Sequence, residues 1–169
     1  NQPMFSADQR YVIVFNGEIY NFQEIRKKIM AFNKNFSFKT TSDTEVLLEA
    51  FSLWKEDFLN EANGMFSIAI YDQQDKQLYL FRDRLGKKPL YYYWDGDCFV
   101  FSSELKSFLQ LEKISKRLTL NRQAIYYFLY LGYIPEPDSI FSEIKKFPAG
   151  CYGMVKNQLI IRPYWKPEE

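Results

Sequence analysis

Apolar residues occur in two patterns along the first third of the chain, and each pattern predicts a different element. The continuous apolar run over residues 11–15 predicts a buried strand. Apolar residues then recur at helical spacing over residues 22–32, which predicts a helix with Asn21 at its N-cap. Residues 36–40 alternate in a way that indicates a short strand. The chain therefore opens with a strand, a helix and a second, shorter strand.

A second helix is predicted directly after this short strand. Ser42 and Glu45 have the spacing of a capping box, in which the side chain of each residue bonds the backbone N–H of the other. The apolar positions that follow share one helical face. They are Val46, Leu47, Ala50, Phe51 and Trp54. A further amphipathic piece covers residues 56–63.

Strands dominate the rest of the chain. Three pairs of apolar runs have hairpin spacing. They are residues 65–71 with 78–81, 89–94 with 98–101 around an Asp-Gly turn, and 151–156 with 159–162. Short helices are expected near residues 105–111 and 118–132. Consecutive antiparallel strands preceded by helices indicate an α+β fold in which helices cover the sheets.

Composition fits one globular domain with a full core. The chain has 169 residues, of which 47% are hydrophobic and 19% aromatic. Its formal net charge is +1, which argues against nucleic acid or an acidic membrane as the main partner. No apolar run approaches the roughly 20 residues of a membrane span. Two cysteines, Cys98 and Cys151, make no disulfide framework, so both are expected in the core and a cytoplasmic location is the simplest setting.

Histidine is absent from the sequence. Its absence excludes Ser-His and Cys-His triads and most zinc sites within this chain, so no metal site is expected. A nucleophile at a chain N-terminus needs no histidine, because its own α-amino group can act as the base. The remaining catalytic chemistry is therefore sought among amides and carboxylates.

The dipeptide Asn16-Gly17 lies where the first predicted strand ends. A side-chain amide and an unhindered backbone N–H can point at one oxygen, as an oxyanion hole requires. By itself, however, Asn-Gly is more typical of a tight turn. Both interpretations stay open on local sequence.

Two charged segments also allow more than one interpretation. Asp43 in the first turn of the second helix is favoured by the helix dipole, but a fixed carboxylate can also receive the ammonium group of a bound amino acid. Residues 82–88 are the most charged segment. They predict a solvated loop held by Arg–Asp pairing, and a phosphate-binding loop is the weaker alternative because only one glycine is present.

Six ordered motifs resemble the glutaminase domain of glutamine-hydrolysing asparagine synthetases, which are class II amidotransferases with an N-terminal-nucleophile fold. The blocks run in the family's order from about residue 11 to about residue 153. They are Asn-Gly-Glu-Ile-Tyr-Asn at 16–21, Thr-Ser-Asp-Thr-Glu at 41–45, Asn-Gly-Met-Phe at 63–66, Arg-Asp-Arg-Leu-Gly with Lys-Pro-Leu-Tyr at 82–91, Ser-Glu-Leu-Lys at 103–106, and Gly-Tyr-Ile-Pro-Glu-Pro at 132–137.

The resemblance implies a four-layer αββα sandwich of two antiparallel sheets and a site for glutamine. In that site the side chain of Asn16 and the N–H of Gly17 stabilise the oxyanion, Glu18 lines the pocket through its backbone, and Asp43 holds the α-ammonium group. The resemblance implies no cofactor in this domain. ATP and magnesium belong to a C-terminal synthetase domain, which is the expected partner, and a homodimer is left open.

The family's nucleophile is an N-terminal cysteine, whereas this sequence begins with Asn1 and also lacks the family's arginine-rich segment. We therefore expect a glutaminase domain incomplete at its N-terminus over residues 1–153, with residues 154–169 forming a terminal hairpin and the start of a linker. Two alternatives remain. The chain is a binding or regulatory domain without a nucleophile, or an amidotransferase that acts on a sugar carboxylate rather than on aspartate.

Overall fold

The computed structural model describes residues 2–34 and 36–167, and in these residues the strands form two antiparallel sheets. The strands are β1 (Met4–Phe5), β2 (Tyr11–Ile19), β3 (Gly64–Asp72), β4 (Gln77–Arg82), β5 (Tyr91–Trp94), β6 (Phe99–Ser102), β7 (Ile144–Lys146), β8 (Cys151–Val155) and β9 (Leu159–Pro163). The larger sheet has the order β1-β2-β3-β4-β8-β9, and the smaller has the order β6-β5-β7.

Helices flank both sheets. They are α1 (Phe22–Phe32), α2 (Asp43–Trp54), α3 (Phe58–Glu61), α4 (Lys106–Leu109), α5 (Glu112–Ser115) and α6 (Arg122–Leu131), with a 3-10 turn at Lys55–Asp57. The predicted helix over residues 22–32 is confirmed, as are the three hairpins, which pair antiparallel.

Three apolar clusters separate four layers of structure. In the first, α1 and α2 pack on one face of the larger sheet, where Phe51 lies edge-on to Phe81. In the second, the other face of that sheet packs against the smaller sheet, so that Leu80 and Tyr92 belong to one cluster. In the third, α4 packs on the far side of the smaller sheet through Phe108. The order helix, sheet, sheet, helix confirms the αββα sandwich.

Alternation along β3 shows how sequence produces these layers. Phe66, Ile68 and Ile70 face the cluster under α1 and α2, whereas Ala69 faces the smaller sheet. Successive side chains of a strand point to opposite sides of its sheet. Strand β3 therefore has apolar contacts on both faces. This double coverage explains why residues 65–71 read as a nearly continuous apolar run.

The expected strand over residues 36–40 is wrong for the residues that the structure describes. Residues 36–40 form no strand there. Instead, the backbone N–H groups of Lys39 and Thr40 donate to the carboxylate of Glu45, at 2.7 and 2.6 Å. The Ser42 hydroxyl does accept the Glu45 N–H at 3.3 Å, so half of the capping box is present. The other half is absent, because the Glu45 carboxylate accepts the N–H groups of the preceding loop and not the N–H of Ser42.

Asn21 occupies the N-cap position of α1, but its side chain makes no capping hydrogen bond. Its amide nitrogen donates to the carbonyl of Glu61 at 2.8 Å, and its amide oxygen accepts the N–H of Asn63 at 2.9 Å. The side chain thus ties the end of β2 to the loop that precedes β3. The capping rule therefore predicted the correct position for Asn21 but not the hydrogen-bond partners of its side chain.

The charged segment over residues 82–88 is solvated only in part, because residues 85 and 87 are exposed whereas its first two residues are not. Arg82 and Asp83 are both buried, with 6% and 1% of their surface exposed. Asp83 accepts four backbone N–H groups, from Phe66, Leu85, Lys87 and Lys88, at 2.9–3.2 Å. Arg82 donates to the carbonyls of Gly86 and Lys88, both at 3.0 Å. Asp83 is satisfied by these backbone N–H groups, whereas Arg82 also donates to the carbonyl of Phe147 and forms an ion pair with the carboxylate of Glu136. The ion-pair partner of Arg82 is thus Glu136.

The terminal hairpin belongs to the larger sheet. Strand β8 pairs with β4, from Leu78↔Val155 to Phe81↔Tyr152, and runs through residues 153 and 154. The division into residues 1–153 and 154–169 stays a prediction. No helix in the described parts of the chain combines the length and the apolar character that crossing a bilayer requires.

Candidate active site

A cleft of about 140 Å³ lies where the two sheets meet beside β2. The larger sheet contributes Asn16 and Ser67, which are opposite each other on β2 and β3. Ser102 and Ser103 reach the cleft from the smaller sheet, and Leu90 and Phe101 form part of its apolar wall. Polar groups from both sheets therefore converge on a small, partly apolar cleft.

The dipeptide Asn16-Gly17 lies inside β2 and is not a tight turn. Asn16 pairs with Ser67 and Gly17 with Phe66, and the ladder continues to Ile19. The turn interpretation is therefore wrong. The strand also runs further than the apolar pattern over residues 11–15 indicated, because the ladder with β3 continues through polar positions.

Gly17 is required by the close approach of β3. A Cβ atom at this position would lie 2.1 Å from the carbonyl oxygen of Met65 and 2.7 Å from the Cα of Phe66. Both contacts are far shorter than van der Waals distance, and both involve backbone atoms that cannot swing away. The absence of a side chain at residue 17 thus allows β2 and β3 to pair at this point.

The backbone of Gly17 faces the free side of β2. In an antiparallel strand, alternate residues direct both the N–H and the C=O to the same side. On the side away from β3, the Phe15 N–H and C=O bond to Gln2, and the Ile19 N–H donates to Asp43. Gly17 has the same parity as Phe15 and Ile19. Its N–H therefore points to the same edge of β2. It lies between the Phe15 groups that bond Gln2 and the Ile19 N–H that bonds Asp43.

Gln2 acts there as a substitute for a neighbouring strand. Its amide oxygen accepts the Phe15 N–H at 2.7 Å, and its amide nitrogen donates to the Phe15 carbonyl at 2.8 Å. β1 itself pairs with β2 only at Met4↔Ile13 and Phe5↔Val12. The side chain of Gln2 thus extends the pairing by one position along β2. The sequence offered no signal for this role.

Asn16 reaches across the cleft to the smaller sheet. Its side-chain nitrogen donates to the hydroxyl of Ser103 at 3.2 Å. Ser103 directly follows β6, at the start of the Ser-Glu-Leu-Lys motif. The motif was recognised in the sequence, but the contact of its first residue with Asn16 was not.

Asp43 is the first residue of α2, and its carboxylate is directed at the end of β2. Its Oδ2 accepts the Ile19 N–H at 3.1 Å, while Oδ1 lies 3.5 Å from the Thr44 hydroxyl. The half-buried carboxylate therefore has one oxygen committed to β2 and one that is weakly engaged. Asp43 thus lies beside the same edge of β2 as Gly17.

The backbone N–H and C=O of Glu18 point to the opposite side of β2 from those of Gly17 and Ile19. Glu18 pairs with Met65, and its parity places its N–H and C=O in the ladder with β3 rather than at the free edge. Its side chain is exposed. The structure thus gathers Asn16, Gly17, Glu18 and Asp43 around the last part of β2, and their roles in binding and catalysis stay predictions.

Neither cysteine lies among these residues. Cys151 packs against the apolar cluster between the sheets, and burial raises the pKa of its thiol, which disfavours the nucleophilic thiolate. Cys98 is half-buried at the hairpin between β5 and β6. Within residues 2–34 and 36–167, no three His, Cys, Asp or Glu side chains are grouped so that they could hold a metal ion.

The sequence matches known families over nearly its whole length. A family profile described as "Glutamine amidotransferase domain" matches residues 1–165. Asparagine synthetase (glutamine-hydrolyzing) 1 of Bacillus subtilis is 36% identical over 96% of this chain and 24% of its own length. Asparagine synthetase (glutamine-hydrolyzing) 3 of the same organism is 38% identical over 99% of this chain and 27% of its own length. The chain therefore spans less than a third of these relatives.

A solved structure shares the fold. Glutamine phosphoribosylpyrophosphate amidotransferase from Bacillus subtilis superposes with a TM-score of 0.66 at 17% identity, over 98% of this chain and 32% of that one. At this identity the likeness concerns the fold alone. It agrees with the two stacked sheets and their helical layers.

Proposed function

Because this chain belongs to the glutamine amidotransferase domain family, we propose that it binds glutamine at the edge of β2, between the cleft that Asn16 lines and the carboxylate of Asp43, and supports hydrolysis of the side-chain amide. In the proposed reaction, the thiolate of the family's N-terminal cysteine attacks the amide carbon. The C–N bond then breaks as the leaving nitrogen takes up the proton that the cysteine's α-amino group had accepted from the thiol, so that ammonia leaves and a thioester remains. Water cleaves the thioester and releases glutamate.

The observation that carries this proposal is the free edge of β2 at Gly17. The tetrahedral intermediate carries a negative charge on the former amide oxygen, and preorganised N–H donors stabilise that charge. The Gly17 N–H faces the free edge, and the Asn16 amide projects from the adjacent residue toward the cleft. Two donors on consecutive residues of one rigid strand are suited to this task.

Asp43 supplies the proposed contact for the α-ammonium group. One carboxylate oxygen is fixed by the Ile19 N–H, which orients the group and leaves the other oxygen for a ligand. A charge-assisted hydrogen bond from an ammonium group is stronger than one between neutral groups. Glu18 is also proposed to line the pocket through its backbone, although its N–H and C=O face β3 and so offer no hydrogen bond to a ligand at the free edge.

The use of the ammonia is proposed from the relatives. Two of them are named as glutamine-hydrolysing asparagine synthetases. We therefore assign the released ammonia to amide formation on aspartate, in a synthetase domain of the same protein that binds ATP and magnesium. This domain needs no cofactor in the proposed reaction. The two unpaired cysteines favour a cytoplasmic setting.

The proposal is tested by glutamate release from the full-length protein and its Asn16→Ala variant. Removing one oxyanion donor costs on the order of 10²–10³ in kcat in comparable sites, and the KM for glutamine should change little. Asn60→Ala, at an exposed asparagine on α3, is the matched control. Unchanged kcat in Asn16→Ala would contradict the oxyanion role. Glutamine binding without any glutamate release would favour the non-catalytic alternative.

A further inference from the structure

A single hydrogen bond joins the side chains of Asn16 and Ser103 across the cleft. The two residues are 87 positions apart, and they lie on different sheets. The Asn16 amide nitrogen is the donor and the Ser103 hydroxyl is the acceptor, at 3.2 Å. The contact is therefore made by the same amide group that the proposed reaction requires as an oxyanion donor.

Asn16 has little else to hold its side chain. The residue is exposed, and within the described parts of the chain Ser103 is the hydrogen-bond partner recorded for its amide. An exposed asparagine otherwise samples several rotamers, and ordering it during the reaction would cost free energy. A primary amide carries two N–H bonds, so that one can be held by Ser103 while the other is offered to the oxyanion.

Ser103 is itself held firmly. It follows β6 directly, and the last residue of that strand, Ser102, pairs with Tyr91 of β5. Beyond it, the Glu104 N–H donates to the Ser102 hydroxyl at 3.1 Å, which fixes the turn around Ser103. The Ser103 hydroxyl thus projects into the cleft from a position that the smaller sheet defines.

We infer that Ser103 is a positioning residue, whose hydroxyl holds the Asn16 amide in the orientation that stabilises the oxyanion. This inference rests on the proposed glutaminase function. Ser103 does not touch the reacting atoms in this scheme. It acts by preorganisation, because a donor already in place costs no reorganisation when negative charge develops. It also makes the oxyanion hole depend on the relative placement of the two sheets.

The test is a double-mutant cycle in the full-length protein, measured as glutamate release. Ser103→Ala should lower kcat about three- to tenfold, the rate equivalent of one neutral hydrogen bond, while the KM for glutamine stays near that of the parent. In the Asn16→Ala background the same substitution should have no further effect, since the amide that it positions is gone. Ser103→Thr keeps a hydroxyl and should restore most of the rate.

Ser107→Ala, at an exposed serine on α4 that does not line the cleft, is the matched control. It should leave kcat unchanged, and melting temperatures of all variants check that each is folded. An active parent whose kcat is unaffected by Ser103→Ala, or equal losses in both backgrounds, would overturn this inference alone. A parent that releases no glutamate would instead overturn the proposed function.

Discussion

The carboxylate of Asp43, at the start of α2, accepts the backbone N–H of Ile19, at the end of β2, at 3.1 Å. The bond joins a helix terminus to the strand that carries Asn16 and Gly17. The two interpretations of Asp43 are therefore compatible, since one oxygen has a structural partner and the other is available to a ligand. They can be separated by changing the charge without removing the acceptor.

Asp43→Asn is expected to raise the KM for glutamine about tenfold or more, with a small change in Tm. An asparagine oxygen can still accept the Ile19 N–H, whereas the loss of negative charge removes a charge-assisted hydrogen bond to the ammonium group, which is typically worth about 1.5–3 kcal/mol. The measurement is glutaminase kinetics of the full-length protein, with thermal melting.

Asp43→Ala provides the comparison, because it removes both the charge and the acceptor. It should raise the KM in the same way and also lower the Tm. A variant Asp43→Asn that melts earlier and binds glutamine normally would favour a purely structural role, through the helix dipole.

Gly17→Ala is expected to destabilise the protein by more than about 3 kcal/mol, because the new Cβ would overlap backbone atoms of Met65 and Phe66. Overpacking is costly even where neighbouring side chains can move aside, and backbone atoms cannot. Gly96→Ala is the comparison. Gly96 has a φ of 97° and no atom within 4 Å of a Cβ, so that variant should lose only about 1–2 kcal/mol of conformational strain. Urea unfolding of both variants measures the difference, and equal losses would show that the close approach of β3 is not required.

Asp83→Asn is expected to destabilise the protein by about 3 kcal/mol or more, although it is nearly isosteric. Each oxygen of the Asp83 carboxylate accepts two backbone N–H groups, so an amide NH₂ at either place would face two donors. Asp97→Asn, in the exposed turn between β5 and β6, is the control for loss of charge. Denaturant unfolding at neutral pH is the measurement, and near-equal stability of the two variants would contradict the proposed hydrogen-bond network.

Glu49→Gln is expected to stabilise the protein at neutral pH and to lose this advantage in acid. Burial raises the pKa of the Glu49 carboxyl in the folded state, while its Oε1 accepts the Ala7 N–H at 2.7 Å. The folded protein therefore binds a proton more tightly than the unfolded chain, so ionisation of Glu49 costs stability as the pH rises from about 4.5 through the folded-state pKa. Glutamine keeps the acceptor for Ala7 and carries no charge.

Free energies of unfolding of the parent and Glu49→Gln, measured from pH 4 to pH 8, should diverge with rising pH and then run parallel. Glu24→Gln, at an exposed carboxyl on α1, controls for the loss of one negative charge. A constant difference over the whole range would show that Glu49 does not titrate differently in the folded and unfolded states.

Much of the fold was predictable because its signals are local. The helix over residues 22–32 and the three hairpins follow from apolar spacing and turn residues that lie within a few positions of one another. The strand expected over residues 36–40 is wrong because a side-chain acceptor five or six positions along the chain competes with the sheet. Its alternating pattern was outweighed by the Glu45 carboxylate, which binds the N–H groups that a sheet would need.

The site was predictable only in part. Ordered motifs indicated Asn16, Gly17 and Asp43, and the structure places all three around the last part of β2. Their surroundings depend on contacts that sequence does not display. The charges of Arg82 and Asp83 read as a solvated loop, because burial of a charge is decided by partners that other segments bring to it.

The sequence by itself determined the alternation that builds four layers, the glycine that lets β2 and β3 approach, and the motifs that relate the chain to its family. Only the tertiary structure decided that the amide of Gln2 bonds both backbone groups of Phe15, and that Ser103 meets Asn16 from the other sheet. These contacts join residues 13 and 87 positions apart. The contact of Asn16 with Ser103 arises because stacking the two sheets brings distant edges together, whereas Gln2 meets Phe15 along the edge of the larger sheet. No local pattern of side chains records either contact.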